Sequence, residues 1–188
     1  MRHFVQQLRE EHEEMIQLLG LLSREERRME QGEEPQYPVM LDILLYMTHH
    51  PDLFHHPREE LMFARICQRL EQPSELIEQL REEHRINGQR SLKLLDMLRA
   101  VVNGSLVSQE ELGEACHEYV RGQRLHIARE ESGLYRLAEA HLTEEDWESL
   151  DVDAEKRANP FADKLRRRYL DFYQEICRAS EVKPLHTH

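Results

Sequence analysis

The residue types best suited to chemistry in this chain occur in a phrase that is present twice. Each copy has Gln-Leu-Arg-Glu-Glu-His followed by a His-x-x-x-Glu pair, and the whole unit recurs after about 72 residues. The two histidines are 43 residues apart in the first copy and 42 in the second. Imidazole nitrogens and carboxylate oxygens at a repeated spacing are typical donors of a metal site. The six candidate ligands are His12, His55 and Glu59 in the first copy and His84, His126 and Glu130 in the second.

The two His-x-x-x-Glu pairs have the spacing of neighbours on one helical face. Residues four apart in an α-helix lie about one turn apart on the same side. His55 with Glu59, and likewise His126 with Glu130, would each present an imidazole and a carboxylate in one direction. A single pair of this kind arises readily by chance in a chain so rich in glutamate, and it is the repetition that favours a metal site.

The two single histidines are expected on the inner faces of the other two long helices. His12 lies between the apolar positions Leu8 and Ile16, and His84 follows Leu80 by one turn. Four helices would then bring six donors together in the interior. Burying imidazoles and carboxylates without partners costs several kcal/mol for each group, so such a centre requires a compensating charge.

A pair of metal ions would supply that charge. The two carboxylates can bridge both ions while the neutral imidazoles terminate them, which gives each ion two histidines and shared carboxylate oxygens. Mixed nitrogen and oxygen ligation suits iron, and two neighbouring irons permit redox chemistry or the binding of small diatomic molecules. Zinc or manganese could occupy the same ligands.

Apolar residues at helical spacing predict four long helices that position these donors. Ser74 is an N-cap candidate for the third helix, and Ser108 opens a capping box for the fourth. Pro51 and Pro57 interrupt the second helix and predict a kink between His50 and Pro57, because proline removes a backbone donor. The predicted ranges are about 1–31, 39–70, 74–103 and 108–141.

The segment after residue 141 predicts a helical extension. A cap at Thr143 opens a short helix to about Leu150, and Asn159-Pro160 begins a last amphipathic helix that reaches Ile176. This last helix is expected to pack on the bundle or, alternatively, to form a homodimer. The predicted division is 1–141 as the four-helix bundle, 142–180 as the packed extension and 181–188 as a flexible tail.

The composition predicts an all-α protein and argues against several classes of function. Charged residues make up 33 % of the chain, with only seven Gly and seven Pro. The net charge of −12 argues against binding to nucleic acid or to an anionic membrane. With no membrane-spanning stretch, no apolar signal segment and three widely spaced cysteines, we expect a cytoplasmic protein with reduced thiols.

The ligand phrases resemble those of the hemerythrin-like HHE cation-binding domain family. The resemblance covers about residues 1–141 and rests on the candidate histidines together with the segments HHPREELMF and HIAREESGLY. It implies an up-down four-helix bundle that holds two non-haem iron ions, with the six candidate residues as ligands. The family pattern selects His55 with Glu59, because Glu60 is then followed by the apolar pair Leu61-Met62. A shifted register, His56 with Glu60, stays open.

The chain departs from the oxygen-carrying members of this family. Those members have a fifth histidine one turn from that of the third helix and an aspartate in the last pair, whereas this chain has Gly88 one turn after His84 and carries Glu130. Four histidines with two glutamates are more similar to bacterial di-iron proteins that handle nitric oxide or repair iron–sulfur centres.

Three functions follow as expectations. The leading one is a di-iron protein that binds or senses O2 or NO. The alternatives are an enzyme that reduces NO or peroxide or an iron donor in the repair of iron–sulfur centres, and a structural metal-binding bundle. Ferritin-like iron storage is disfavoured, because it uses Glu-x-x-His and only Glu114 with His117 has that spacing.

Several further residues have open roles. The histidines near the kink could contact the ligands or the access route, or could simply form a polar, partly solvated kink. Three tyrosines could donate a hydrogen bond to a bound ligand or lie in the core. Gly88 and Gly122 could open a gap for a diatomic molecule or allow close helix packing. The histidines and tyrosines concerned are His49, His50, His56, Tyr46, Tyr119 and Tyr135.

Overall fold

The computed structural model describes residues 2–157 and 162–185. It is all-α, and its four long helical rods form the predicted up-down bundle with an additional C-terminal helix. Two π-helical turns, Pro51–His55 and Glu130–Leu134, lie within the second and fourth rods without interrupting them. The helices are α1 (His3–Glu30), α2 (Tyr37–His50), α3 (His56–Arg69), α4 (Glu75–Val102), α5 (Gln109–Arg129), α6 (Tyr135–His141), α7 (Glu144–Arg157) and α8 (Ala162–Ala179).

The helix starts agree with the capping residues read from the sequence. The Ser74 hydroxyl accepts a hydrogen bond from the backbone amide of Ile77 at 3.4 Å, at the start of α4. The Ser108 hydroxyl accepts one from the amide of Glu111 at 3.3 Å, at the start of α5. Because each hydroxyl satisfies an amide that has no partner within its helix, both serines fix where their helices begin. The prediction that Ser74 and Ser108 cap these two helices is confirmed.

The predicted kink in the second rod takes the form of a π-helical turn. Pro51 has no amide hydrogen, so the regular hydrogen-bond pattern fails there and the chain inserts one extra residue before α3. His55 ends this turn and His56 begins α3. The second turn, which begins at Glu130, was not predicted, because the surrounding sequence contains no proline.

The apolar core forms two clusters, one toward each end of the bundle. One contains residues such as Leu19, Leu44, Leu94 and Leu112. The other contains residues such as Phe4, Leu8, Met62, Leu80 and Leu134. Along three rods, the candidate ligand positions fall between the residues of the two clusters, and along the fourth rod Glu130 does so while His126 directly precedes Ile127 of the first cluster. The bundle therefore holds a polar belt between two apolar layers. Ile16, expected to flank His12 on the inner face, is instead 44 % exposed.

The C-terminal helices pack on the bundle at opposite ends. Trp147 and Leu150 of α7 belong to the cluster that contains Phe4. Tyr173, Ile176 and Cys177 of α8 belong to the other cluster, so much of the apolar face of α8 is already covered within the chain. Helix α7 extends to Arg157, beyond the predicted end at about Leu150.

Some predictions about the C-terminal part of the chain stay predictions. The expected helix start at Asn159-Pro160 lies outside the described residues, as do residues 186–188 of the expected flexible tail. Before them, the Lys183 carbonyl accepts a hydrogen bond from Gln17 at 2.8 Å. The division into domains and the homodimer likewise stay predictions. Within the described ranges, no helix combines the length and apolar character needed to cross a bilayer.

Candidate metal centre

The structure brings all six predicted ligands together in the polar belt. His12 comes from α1, and His55 and Glu59 come from the junction of the first π-helical turn with α3. His84 comes from α4, and the other two come from the junction of α5 with the second π-helical turn. Five of the six are almost fully buried, and the side chain of His84 is 14 % exposed.

The first half of the centre contains a close pair of imidazoles. The Nε2 atoms of His12 and His55 are 3.0 Å apart. His12 Nε2 also lies 3.3 Å from Oε2 of Glu130, and His55 Nε2 lies 3.3 Å from Oε1 of Glu59. One donor atom from each of these four residues lies within 4.8 Å of all the others. This spacing suits a single metal ion in their midst.

The second half has the same composition. His126 Nε2 lies 3.0 Å from Oε1 of Glu130, and His84 Nε2 lies 3.5 Å from the same oxygen. His84 Nε2 is also 3.3 Å from Oε2 of Glu59. Each glutamate therefore faces histidines of both halves. This is the arrangement expected of two shared, bridging carboxylates.

The outer nitrogens of three histidines are held by carboxylates. A carboxylate only accepts hydrogen bonds, so each Nδ1 must carry the proton and donate it. A neutral imidazole held in this way directs the lone pair of Nε2 toward the centre, which is the usual orientation of a metal-ligating histidine. The pairs are His12 with Glu131 at 3.1 Å, His55 with Glu11 at 2.8 Å and His126 with Glu83 at 3.0 Å.

Two of these outer carboxylates come from the repeated phrase itself. In the first copy Arg58 pairs with Glu11, which in turn holds His55. In the second copy Arg129 pairs with Glu83, which holds His126. Only the histidines and the His-x-x-x-Glu glutamates were predicted from the sequence as metal ligands. The signal for these further residues was present, because the same arginine and glutamate recur in both copies.

The inner carboxylates have histidine nitrogens beside them but no hydrogen-bond partner in the described part of the chain. Among the described residues, both side-chain oxygens of Glu59 and of Glu130, and Nε2 of His84, are buried without a hydrogen-bond partner. The histidine nitrogens face the carboxylate oxygens at short range, but in these cases not with hydrogen-bond geometry. Burying a carboxylate is costly unless it is both paired and hydrogen-bonded, or coordinates a metal. The donor set therefore fits bound metal ions.

The electrostatics of the metal-free cluster favour charged histidines. Burial lowers the pKa of His55, but the charge of Glu59 and the hydrogen bond to Glu11 raise it to about 10. Burial likewise opposes charge on His84, while Glu130 and Glu59 raise its pKa to about 9. At neutral pH in the metal-free chain, each of these two histidines therefore carries both ring protons and a positive charge. A metal ion must displace one proton from each when it binds.

The three histidines near the kink have different positions. His49 is exposed, and its Nδ1 bonds to the Leu45 carbonyl at 2.7 Å. His50 is buried and stacks on Tyr46, with ring centroids 4.7 Å apart. Of the three, His56 is the one that reaches the cluster, because its ring stacks on His84 at 4.1 Å.

The shifted register is not assembled in this structure. It would use Glu60 in place of Glu59, but both oxygens of Glu60 accept hydrogen bonds from Arg81, at 3.1 and 3.0 Å. The side chain of Glu60 is 43 % exposed. The geometry therefore favours Glu59, the residue that the family pattern selected, as the inner carboxylate.

One of the three tyrosines lies at the centre. The Tyr135 ring stacks on His12 with centroids 6.0 Å apart, and its hydroxyl oxygen is 3.5 Å from His12 Nδ1. The Tyr46 hydroxyl donates to Glu14 at 2.9 Å. Tyr119 is fully buried in the core. A role for any of these residues toward a bound ligand stays a prediction.

The two glycines near the ligands serve different purposes. A Cβ atom at Gly122 would lie 2.7 Å from both Asn87 Oδ1 and Arg90 Nη1, so close packing of α4 on α5 explains this glycine. A Cβ at Gly88 would meet nothing within 4 Å. Gly88 instead lines a cavity of about 120 Å³ that His84 and His126 also line.

Comparison with known proteins supports the same interpretation. The family model described as the hemerythrin HHE cation-binding domain matches residues 3–138, a range that contains every candidate ligand. No curated protein and no solved structure matches the chain.

Proposed function

The chain belongs to the hemerythrin HHE cation-binding domain family, and we propose that it is a non-haem di-iron protein that binds or senses a small diatomic ligand, O2 or NO. The family and the His/Glu cluster support metal binding in general. Our proposal goes further in three respects: the metal is iron, two ions are bound, and the ligand is a diatomic molecule.

The observation that carries the proposal is the sharing of two buried glutamates. Glu59 faces His55 and His84, and Glu130 faces His12 and His126, so each carboxylate can bind two ions at once. Their oxygens have no other hydrogen-bond partner among the described residues. Two ions would neutralise both carboxylates and leave each ion with two imidazoles.

The composition of the donor set supports iron. Imidazole nitrogens with carboxylate oxygens suit iron in either common oxidation state, whereas zinc sites favour four closed donors when they are structural. No cysteine lies in the cluster of described donor residues. Two iron ions would supply reversible redox chemistry and free coordination positions for a diatomic molecule.

The protein contributes orientation, exclusion of water and a small access cavity. The outer carboxylates fix the imidazole rings, and the two apolar clusters shield the belt on either side. The cavity of about 120 Å³ beside His84 and His126 has room for several water-sized molecules. It is smaller than the roughly 300–1,000 Å³ of sites for drug-sized ligands, which supports a small ligand over a bulky substrate.

A cytoplasmic location is also part of the proposal. Cys67, Cys116 and Cys177 are all free thiols, although two of them are buried in the folded chain. Burial raises the pKa of the Cys116 thiol to about 12, which keeps it protonated and unreactive. Three unpaired thiols are typical of a reducing compartment.

The test is the metal content and optical spectrum of freshly purified protein, before and after dithionite and then nitric oxide. We expect two irons per chain, an absorption of the oxidised centre that dithionite removes, and a new absorption with nitric oxide. The double variant Glu59→Ala/Glu130→Ala should lose iron and absorption, while the control Glu60→Ala/Glu82→Ala, with the same charge change at exposed positions, should keep both.

Two results would contradict the proposal. One is retention of two irons with an unchanged spectrum in the Glu59→Ala/Glu130→Ala variant, because the ligand assignment would then be wrong. The other is steady turnover of nitric oxide or peroxide with a reductant, which would favour the enzymatic alternative over reversible binding or sensing.

A further inference from the structure

His56 begins α3 directly after His55, yet the two rings point to different helices. His55 faces His12 of α1, while the His56 ring stacks on His84 of α4 with centroids 4.1 Å apart and an interplanar angle of 30°. The His55 and His56 rings are 6.0 Å apart and inclined at 67°. The two adjacent histidines therefore reach toward opposite halves of the centre.

The His56 ring is held in the same way as the candidate ligands. Its Nδ1 lies 2.9 Å from Oδ1 of Asp52, so Nδ1 donates its proton to the carboxylate and Nε2 keeps the lone pair. This repeats the pairing of His55 with Glu11 and of His126 with Glu83. Such an outer carboxylate fixes the tautomer and the orientation of a metal-ligating imidazole.

The donor atoms of this neighbourhood are close enough for one ion. A ligand atom of His56, one of Glu59 and one of His84 all lie within 4.8 Å of one another. Ligands at about 2.1 Å from a shared ion lie no more than about 4.2 Å apart, so the three side chains would have to draw together to bind one ion. We propose that His56 is a fifth histidine ligand of the centre, supplied by α3 to the ion that His84 and Glu59 hold.

This inference rests on the proposed function and makes the two ions unequal. The ion near His12 would have two imidazoles, whereas the ion near His84 and His126 would have three. Gly88, one turn along α4 from His84, leaves open space there, and both Gly88 and His56 line the small cavity. The third imidazole would thus approach from α3 across a space that α4 leaves free.

The test is titration of the metal-free chain with Co²⁺, whose visible spectrum reports its ligands. Wild type should bind two Co²⁺. The variant His56→Ala should bind one of them 10–100-fold more weakly, with a changed spectrum for that ion. His49→Ala is the matched control, because His49 is exposed and its Nδ1 bonds to the Leu45 carbonyl, away from the centre. It should behave as wild type.

A second measurement does not depend on the folding of the variant. A histidine bound through Nε2 keeps its Nδ1 proton, which Co²⁺ shifts far outside the normal proton NMR range and which exchanges with D2O. We expect five such signals in the wild-type chain. Four signals in wild type, or identical titrations of wild type and His56→Ala, would overturn the role of His56 and leave the centre intact. Failure of wild type to bind Co²⁺ at all would overturn both the centre and this inference.

Discussion

Glu11 accepts a hydrogen bond from Nδ1 of His55 at 2.8 Å, and this contact joins the two parts of one repeated phrase across 44 residues of sequence. Burial would raise the pKa of Glu11, but the hydrogen bond from His55 and the charges of Arg58 and His55 lower it far below its usual range. Glu11 is therefore a carboxylate at neutral pH and can orient the imidazole.

Replacing Glu11 by Gln should weaken metal binding. The amide can still accept a hydrogen bond, but it carries no charge to strengthen the imidazole as a ligand, and changes of this kind typically cost 10–100-fold in metal affinity. Competition with a coloured chelator would measure the affinity. The control is Glu10→Gln, one residue away and exposed, where the carboxylate accepts a hydrogen bond from the side chain of Gln6 at 3.0 Å. Equal losses in both variants would contradict an orienting role.

Removal of the metal should lower the melting temperature. A ligand that binds only the folded state adds about 3 kcal/mol at a free concentration about 100-fold above its Kd. For a chain of this size that corresponds to roughly 5–10 °C. Calorimetry of the chain with and without a chelator would measure the shift. The Glu59→Ala/Glu130→Ala variant should melt at the same temperature in both conditions, and a large shift there would place the metal elsewhere.

Alanine at the two glycines should have unequal effects. Alanine favours a helix over glycine by about 0.5–1 kcal/mol, so Gly88→Ala should raise the free energy of unfolding by that amount. Gly122→Ala should gain less, or lose stability, because its Cβ would lie 2.7 Å from Asn87 Oδ1 and Arg90 Nη1. Urea denaturation of both variants provides the comparison. Equal gains would show that α4 and α5 are less tightly packed than described.

The contact between α7 and α3 should depend on pH through Asp146. Hydrogen bonds from Arg69 lower the pKa of Asp146 far below its usual range, and those from Thr143 contribute against the effect of burial. A carboxylate with a lowered folded pKa stabilises the fold above its unfolded pKa of about 3.9, and the contribution is lost as pH falls.

Asp146→Asn should therefore lower the free energy of unfolding by about 1–2 kcal/mol at neutral pH. The difference from wild type should be the same at pH 7 and about pH 5, and should shrink below about pH 4, where Asp146 takes up a proton in the unfolded wild-type chain but not yet in the folded one. Urea midpoints of the metal-free chains at these pH values would test this. Asp151→Asn on the same helix serves as the control. A difference that grows toward low pH would have the wrong sign.

The six candidate ligands could be predicted because their pattern can be read from residues that are close together in the sequence. His55 with Glu59, and His126 with Glu130, are one helical turn apart, so their common direction follows from spacing alone. His12 and His84 were found because they end identical phrases. The repeat indicated these two histidines even though the sequence does not show how the helices pack.

The outer contacts required the packing of the helices. Glu83 and His126 lie on different rods, and nothing in the spacing within either rod indicates that they meet at 3.0 Å. The direction of His56 was equally hidden, since the π-helical turn before it changes the helical phase. Ile16 was misplaced for the simpler reason that an apolar residue beside an inner histidine was assumed to share its face.

Because of the π-helical turns, the number of residues in each rod matters to the metal centre as much as the identity of the ligands. Each adds one residue to a rod, and one residue turns a helix by roughly 100°. One turn precedes the pair of His55 and Glu59, while the other begins at Glu130 and follows His126. Deleting a single residue from either would rotate an apolar face away from the core or a ligand away from the centre. In evolutionary terms, insertions and deletions at these two turns should be tolerated less than most substitutions there.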